Sequence, residues 1–263
     1  MSVIAIAMDK VVATVAIDNA AGVQYDPANG VMYVVTLGGD VYPVSDKTMA
    51  VGTANIVNAK GSYMSYSPTS NEIYMSTKTS VEPIVDVINP ATNSSVARIE
   101  TPNDGNGNDI LRGIAYDSTD HDVYVVDSTN GYLTQIGPQN TIIASNVLPL
   151  PFDVVFNPSN DMLYVTSAHC VSSSSEGCTS EVGQVLVVNP GTLAVTATIT
   201  CPTTICKSSP IFTGIAYDSS NGLVYVADAA NNQLVPISGT TIVTPAIPTG
   251  AYPFGVIAGN PVS

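Results

Sequence analysis

Gly214-Ile215-Ala216-Tyr217-Asp218-Ser219-Ser220-Asn221-Gly222-Leu223-Val224-Tyr225-Val226-Ala227-Asp228 has a near copy at Gly113 to Asp127, GIAYDSTDHDVYVVD. Weaker copies lie at Gly22 to Thr36, Ser62 to Thr77 and Asp153 to Thr166. In each, an apolar run rich in β-branched and aromatic residues meets an Asp/Asn/Ser/Gly cluster and then a second such run, which is the pattern of a hairpin. The aromatic closing the first run falls at Tyr25, Tyr66, Tyr116, Phe156 and Tyr217, so successive units are 41, 50, 40 and 61 residues apart. Spacing of about 40 to 50 residues is that of propeller blades.

Two further short runs follow each hairpin, for example Gln233 to Ile237 and Thr240 to Val243, so each unit supplies four strands. No window shows sustained apolar spacing at three and four residues, and helix is therefore not expected. A four-stranded meander cannot bury both faces alone; radial stacking of successive meanders does so. Gly22, Gly61, Gly113, Gly214 and Gly255 mark the first strands, either because the inner position is crowded or because they sit at bulges. Ser2 to Ile6 and Val11 to Val15 read as a third and a fourth strand, and Phe254 to Ala258 as a first. The expected fold is all-β: a single β-propeller domain over 1–263 with six blades, five of them complete and four-stranded. The sixth is a composite blade closed by the N- and C-terminal strands, a closure that removes exposed sheet edges. No second strand is visible for it in Gly259 to Ser263.

Seven Lys and Arg stand against 21 Asp and Glu, a net charge of −14 that opposes nucleic acid and anionic membrane surfaces as partners. Membrane insertion is not expected either. Met1 to Ala7 lacks a basic leading region and a cleavage pattern, so any export signal is expected to have been removed or to precede this sequence. The four cysteines, Cys170, Cys178, Cys201 and Cys206, read as disulfides and hence as an oxidising compartment. Three pairings are open; Cys170 with Cys178 and Cys201 with Cys206 close the shortest loops. Zinc is the rival, although neither pair has the usual short spacing.

The second-strand cores YVVT, YVVD, YVTS and YVAD, their preceding Asn/Asp turns and the later strands VVATV and AVTATI resemble the YVTN-type repeats of surface-layer propellers. The resemblance implies a secreted or cell-surface propeller, commonly without catalysis, serving adhesion, envelope structure or contact with a protein, a glycan or further copies of itself. The sequence departs from the family in never placing Asn fourth and in having Phe152-Asp153 where Pro-x-Gly is usual. Lactonases and streptogramin lyases share the fold, which leaves open an alternative: an enzyme using channel carboxylates and a divalent metal.

The stretched intervals place insertions at Ser167 to Gly183, Glu100 to Leu111 and Thr200 to Ile211, all on one rim in meander geometry, and that rim is the expected binding face. Asp153 replaces a small residue on an innermost strand near Arg112, to anchor a polar ligand or to form a structural ion pair. Asp127 and Asp228 end equivalent second strands, facing the rim or capping turns. His169 stands in an inserted loop and His121 in a turn of the opposite face, so the two are not expected to share a site. Asp104, Asn106, Asn108 and Asp109 resemble the first half of a calcium loop, without its sixth-position Gly or twelfth-position Glu; the alternative is a solvated turn. Asn93-Ser94-Ser95 is a glycosylation acceptor pattern. No phosphate loop, nucleophile elbow or metal-binding His pair appears, and no catalytic residue is assigned.

Overall fold

The computed structural model describes residues 2–5, 10–56, 60–78, 82–105, 109–174 and 177–256, and none of these is helical. A hairpin of β1 (Ser2–Ala5) and β2 (Lys10–Thr14) opens the chain. Five antiparallel meanders follow. Blade 1 holds β3 (Ala20–Asp26), β4 (Val31–Thr36), β5 (Asp40–Ser45) and β6 (Asn55–Ile56), and blade 2 holds β7 (Lys60–Ser67), β8 (Glu72–Lys78), β9 (Pro83–Asn89) and β10 (Ser94–Glu100). Blade 3 holds β11 (Leu111–Tyr116), β12 (Val123–Asp127), β13 (Tyr132–Ile136) and β14 (Ile142–Val147). Blade 4 holds β15 (Pro151–Asn157), β16 (Met162–Ser174), β17 (Gly177–Val188) and β18 (Val195–Thr200). Blade 5 holds β19 (Phe212–Asp218), β20 (Leu223–Asp228) and β21 (Gln233–Ser238), with an outer strand in two pieces, β22 (Thr241–Ile242) and β23 (Ile247–Pro248), both paired with β21.

The side chain at the end of each first strand makes its turn. Asp26 Oδ1 accepts from the Ala28 and Asn29 amides, Asp117 Oδ1 from Thr119 and Asp120, Asn157 Oδ1 from Ser159, and Asp218 Oδ1 from Ser220. Ser67 does the same toward Ser70. Four residues on, the chain turns left-handed at Gly30, Asn71, His121, Asp161 and Gly222, residue types that tolerate positive φ.

Strand alternation then sorts side chains between the two faces of each blade. On β12, Val123 and Val125 pack with Tyr74, Val85 and Val87 of blade 2, while Tyr124 and Val126 pack with Val154, Leu163 and Leu186 of blade 4. Blades 4 and 5 share a third cluster around Val185, Val187, Val224 and Val226, and blades 1 and 2 a fourth around Tyr33, Val35, Ile73 and Ile88. The core is thus a set of wedges, each side chain in which stabilises by roughly 1.5–3 kcal/mol.

The second-strand tyrosine clasps the next blade. Tyr33 donates to the Pro90 carbonyl at 3.0 Å, Tyr124 to Pro190 at 3.3 Å and Tyr164 to Gly239 at 2.9 Å, each acceptor in the turn between strands three and four of the following blade; Tyr74 reaches Asn140 Oδ1 there at 2.6 Å. Tyr225, the last of the series, is half-buried, and its hydroxyl meets only Asn221 of its own blade among the described residues. Tyr33→Phe leaves a buried carbonyl without its donor and is expected to cost about 1 kcal/mol, whereas Tyr225→Phe should be close to neutral. Urea unfolding of the two variants checks this, and equal losses would count against the clasp.

Five blades are formed, not six. The expected composite blade is not assembled as a sheet among the described residues: β1 pairs only with β2, and residues 251–256 adopt no strand. A strand reading of Phe254 to Ala258 lies partly outside the described residues. Among the described residues no second strand stands between the 251–256 segment and the β1–β2 hairpin, so no ladder connects them. The place after β19 is nevertheless filled, since a Cβ on Gly214 would lie 2.7 Å from the Gly255 Cα and 2.9 Å from the Phe254 carbonyl oxygen. Val15, buried with Val34 and Val44, ties the start of the chain to blade 1.

Candidate functional site

Every first strand carries a register shift, between Ala20 and Gly22, Gly61 and Tyr63, Leu111 and Ile114, Pro151 and Asp153, and Phe212 and Ile215. Bulging and crowding, set as alternatives by the sequence, coincide at Gly113 and Gly214, where an added Cβ would also lie within 3 Å of neighbouring backbone. Counting three residues back from the first-strand aromatic gives Gly22, Tyr63, Gly113, Asp153 and Gly214 as equivalent, so Tyr63 rather than Gly61 belongs to the series. Its two side chains larger than hydrogen project into a channel of about 830 Å³, lined also by Arg112, Tyr116, Tyr217 and Phe254.

Asp153 is held between blades. Its Oδ1 accepts from its neighbour Val154 N at 2.9 Å, its Oδ2 from Ile215 N of blade 5 at 3.2 Å, and the carboxyl lies against Gly113 of blade 3. Withdrawal from water pushes its pKa up to about 7, against the opposing pull of those two amides. The expected ion pair with Arg112 is not made: among the described residues no Arg112 nitrogen stands within 4.0 Å of a carboxylate. The backbone amides have taken the carboxylate instead. The Arg112 guanidinium carbon sits 4.3 Å from the centroid of the Phe152 ring, and its Nε donates to Ser128 Oγ at 3.0 Å. Phe152 in turn meets Phe254 edge to face at 5.7 Å.

Above the channel, on the end that bears the insertions, a second cavity of about 340 Å³ is bounded by Arg112, Ser128, Leu150, Phe152, Glu181 and Ile211. Arg112 lines both cavities. Sequence reasoning singled out Arg112 but missed Tyr63, Glu181 and Phe254; the column of equivalent first-strand positions was the signal for Tyr63.

The insertion at 167–183 is not a loop. It prolongs the β16–β17 hairpin, with His169 opposite Val182 and Cys170 opposite Glu181. His169 is therefore a strand residue, half-buried, and its Nδ1 is buried without a hydrogen-bond partner among the described residues. Sequence composition misleads here because Ser, Gly and Cys are poor strand formers, yet ladder pairing carries them. Cys201 and Cys206 form a disulfide with Cα atoms 5.8 Å apart. Cys170 is also disulfide-bonded, while the Cys178 side chain lies outside the described residues.

Asp127 and Asp228 are buried turn caps. Asp127 accepts from the Thr129 and Asn130 amides and from Asn130 Nδ2; Asp228 accepts from the Ile211 and Asn231 amides and from the side chains of Asn231 and Gln233. Asn106 and Asn108 of the calcium-like loop lie outside the described residues. Asp109 is buried and accepts from Asn130 Nδ2, and Asp104 is exposed. Among the described residues no three His, Cys, Asp or Glu side chains gather as a metal centre. Asn93 has φ 49°, and its Nδ2 donates to the Thr53 carbonyl of blade 1 at 2.8 Å, so the nitrogen a glycan would occupy is engaged in a blade contact. On the opposite end of the ring, His121 Nδ1 lies 2.8 Å from the Tyr116 hydroxyl and 3.1 Å from Thr69 Oγ1. No helix in the described residues is long and apolar enough to cross a membrane.

No family model matches the chain, and no curated protein does. Solved structures do. A chain of Kuenenia stuttgartiensis hydrazine synthase superposes with TM-score 0.79 at 16% identity, over 97% of this chain and 82% of that one. Virginiamycin B lyase from Staphylococcus aureus gives 0.71 at 14% identity, over 92% and 74%. A chain of a nidogen/laminin complex gives 0.63 at 13%, over 90% and 84%. At such identities the likeness establishes a propeller and nothing of its chemistry.

Proposed function

We propose that this chain is an extracellular or cell-surface propeller of YVTN type that binds a protein or a glycan through its elaborated end. The observation carrying this reading is convergence. The prolonged β16–β17 hairpin, the Cys201–Cys206 loop and residues 101–105 all emerge at the end where strand two turns into strand three, beside the cavity that Arg112, Phe152 and Glu181 border. Elaborations that leave the blades regular are supports for recognition rather than for folding. Two disulfide-bonded sites fit an oxidising compartment.

The experiment replaces residues 169–182 by Asn-Gly, which joins Ala168 to Gly183 across an existing ladder pair through a tight hairpin turn. The shortened protein is expected to melt within a few degrees of the parent and to lose binding to a glycan array and to isolated cell-envelope material. Equal binding by the two proteins, or no binding by the parent, would count against the elaborated end as the recognition surface.

A lyase-type or lactonase-type enzyme is the second reading, favoured by one observation: a carboxyl with a pKa near 7 in the channel is matched to general acid–base work. It needs a divalent ion. Asp153 is the one carboxylate among the described residues lining that channel, so equilibrium dialysis against magnesium and calcium, repeated with Asp153→Asn, decides it. Retention of a stoichiometric ion by the parent alone would support this second reading over the first.

A further inference from the structure

We infer that Arg112 is the anion-reading element of the cleft, and that the group it takes is a single carboxylate borne on an apolar moiety. This deepens the binding reading above and rests on it. The chain carries 21 acidic side chains and seven basic ones, so a guanidinium without a carboxylate neighbour is unexpected. Arg98, half exposed, has Asp86 at 3.7 Å. Arg112, half-buried where a carboxylate would stabilise it more, has none within ion-pair distance among the described residues. The partner the sequence suggested, Asp153, is held by the Val154 and Ile215 amides.

The guanidinium is positioned as a receptor would be. Phe152 supports one face at 4.3 Å and Ser128 Oγ fixes Nε. Five N–H donors in a rigid fork leave an unused edge once those contacts are made, and that edge matches the two oxygens of a carboxylate. Because its anchors already hold it, little rotamer freedom is lost on binding. The walls of the 340 Å³ cavity are apolar beside it: Leu150, Phe152 and Ile211, the first and last of which are 42% and 55% exposed. That volume is in the range of small-ligand sites. Glu181 on the same cavity adds a negative charge that disfavours dianions such as sulfate relative to a monocarboxylate.

The probe is benzoate, a carboxylate on an apolar ring, with benzamide and sulfate as controls, followed by the Arg112 Nε–H signal in ¹⁵N-labelled protein and by melting temperature. In the parent, benzoate is expected to shift that signal saturably and benzamide to bind roughly tenfold more weakly or worse, the ratio expected for loss of one charge-assisted pair. Arg112→Gln should abolish the benzoate-induced rise in melting temperature. Arg112→Lys, which keeps the charge and loses the fork, should weaken it and guards against a folding defect in the glutamine variant. The inference is overturned by equal binding of benzamide, by sulfate binding more tightly than benzoate, by undiminished benzoate binding to Arg112→Gln, or by no saturable shift in the parent. The Asn-Gly hairpin variant keeps Arg112, Phe152 and Leu150. Benzoate binding that survives there while array and envelope binding is lost, or the reverse, tells failure of this inference from failure of the recognition surface.

Discussion

Gly113→Ala is expected to destabilise the protein by about 3 kcal/mol or more, with a melting temperature lowered by roughly 6–12 °C. A Cβ there would lie 2.1 Å from Asp153 Oδ1, 2.5 Å from the Asp153 Cα and 2.6 Å from the Val154 nitrogen. Two of those three atoms are backbone of the next blade, so relief requires β11 and β15 to separate, opening the wedge between Tyr124, Val154 and Leu163. The controls lie in the same chain. At Gly255 a Cβ meets nothing within 4 Å among the described residues, and Gly255→Ala should be close to neutral. At Gly61 it meets Met75 Sδ at 2.9 Å, the far end of a flexible side chain, and the Ser76 carbonyl oxygen at 3.1 Å, so an intermediate loss is expected. Thermal melts of the three alanine variants should therefore rank Gly113 far below Gly61 and Gly61 below Gly255. A flat ranking would show that these glycines serve the bulge alone and not the approach of neighbouring blades.

That ranking bears on how much of the molecule was legible in the sequence. The hairpin Gly214 to Asp228 was, because its determinants are local: Asp218 closes its own turn through the Ser220 amide, and Val224 and Val226 alternate with Tyr225 whatever lies beyond. Ring closure was not, because it depends on pairing between distant segments, and among the described residues β1 finds no partner but β2. The insertion after Ser167 read as a loop because its Ser, Gly and Cys content is that of loops; pairing with residues 177–183 overrides propensity. At the site, the sequence placed Arg112 and Asp153 as neighbours but not their rotamers. Opposite charges at adjacent equivalents suggest a pair, whereas a carboxylate beside two backbone amides is satisfied without one. The same physics decides Asp127 and Asp228, left open between the rim and turn capping, in favour of turn caps.

Asp153 also sets an expected direction for stability against pH. In the unfolded chain its carboxyl titrates near 3.9, and in the fold burial raises it to about 7. Between those values the folded state holds the proton that the unfolded state has released, so stability falls as pH rises. The contribution is full below about pH 4 and gone once pH passes the folded value near 7. Asp86, Asp117 and Asp122 are raised as well, burial being the main cause in each, and they act in the same direction. Asp218 runs the other way, held down by its hydrogen bonds to Ser220, but its effect belongs to the region below the ordinary carboxylate pKa. Acidification from pH 8 to pH 5 is therefore expected to stabilise the parent by about 2 kcal/mol through Asp153 alone, after allowance for solvent in the channel, and to raise the melting temperature by roughly 4–8 °C. Asp153→Asn removes the titrating group while keeping one oxygen acceptor for the Ile215 or Val154 amide, and it should at least halve that slope. Melting curves of both proteins at fixed ionic strength across this range test the argument. A parent that loses stability on acidification, or an asparagine variant with an unchanged slope, would show that the carboxyl is ionised and solvated in the channel at neutral pH, and the general-acid role considered for it would fall with the same result.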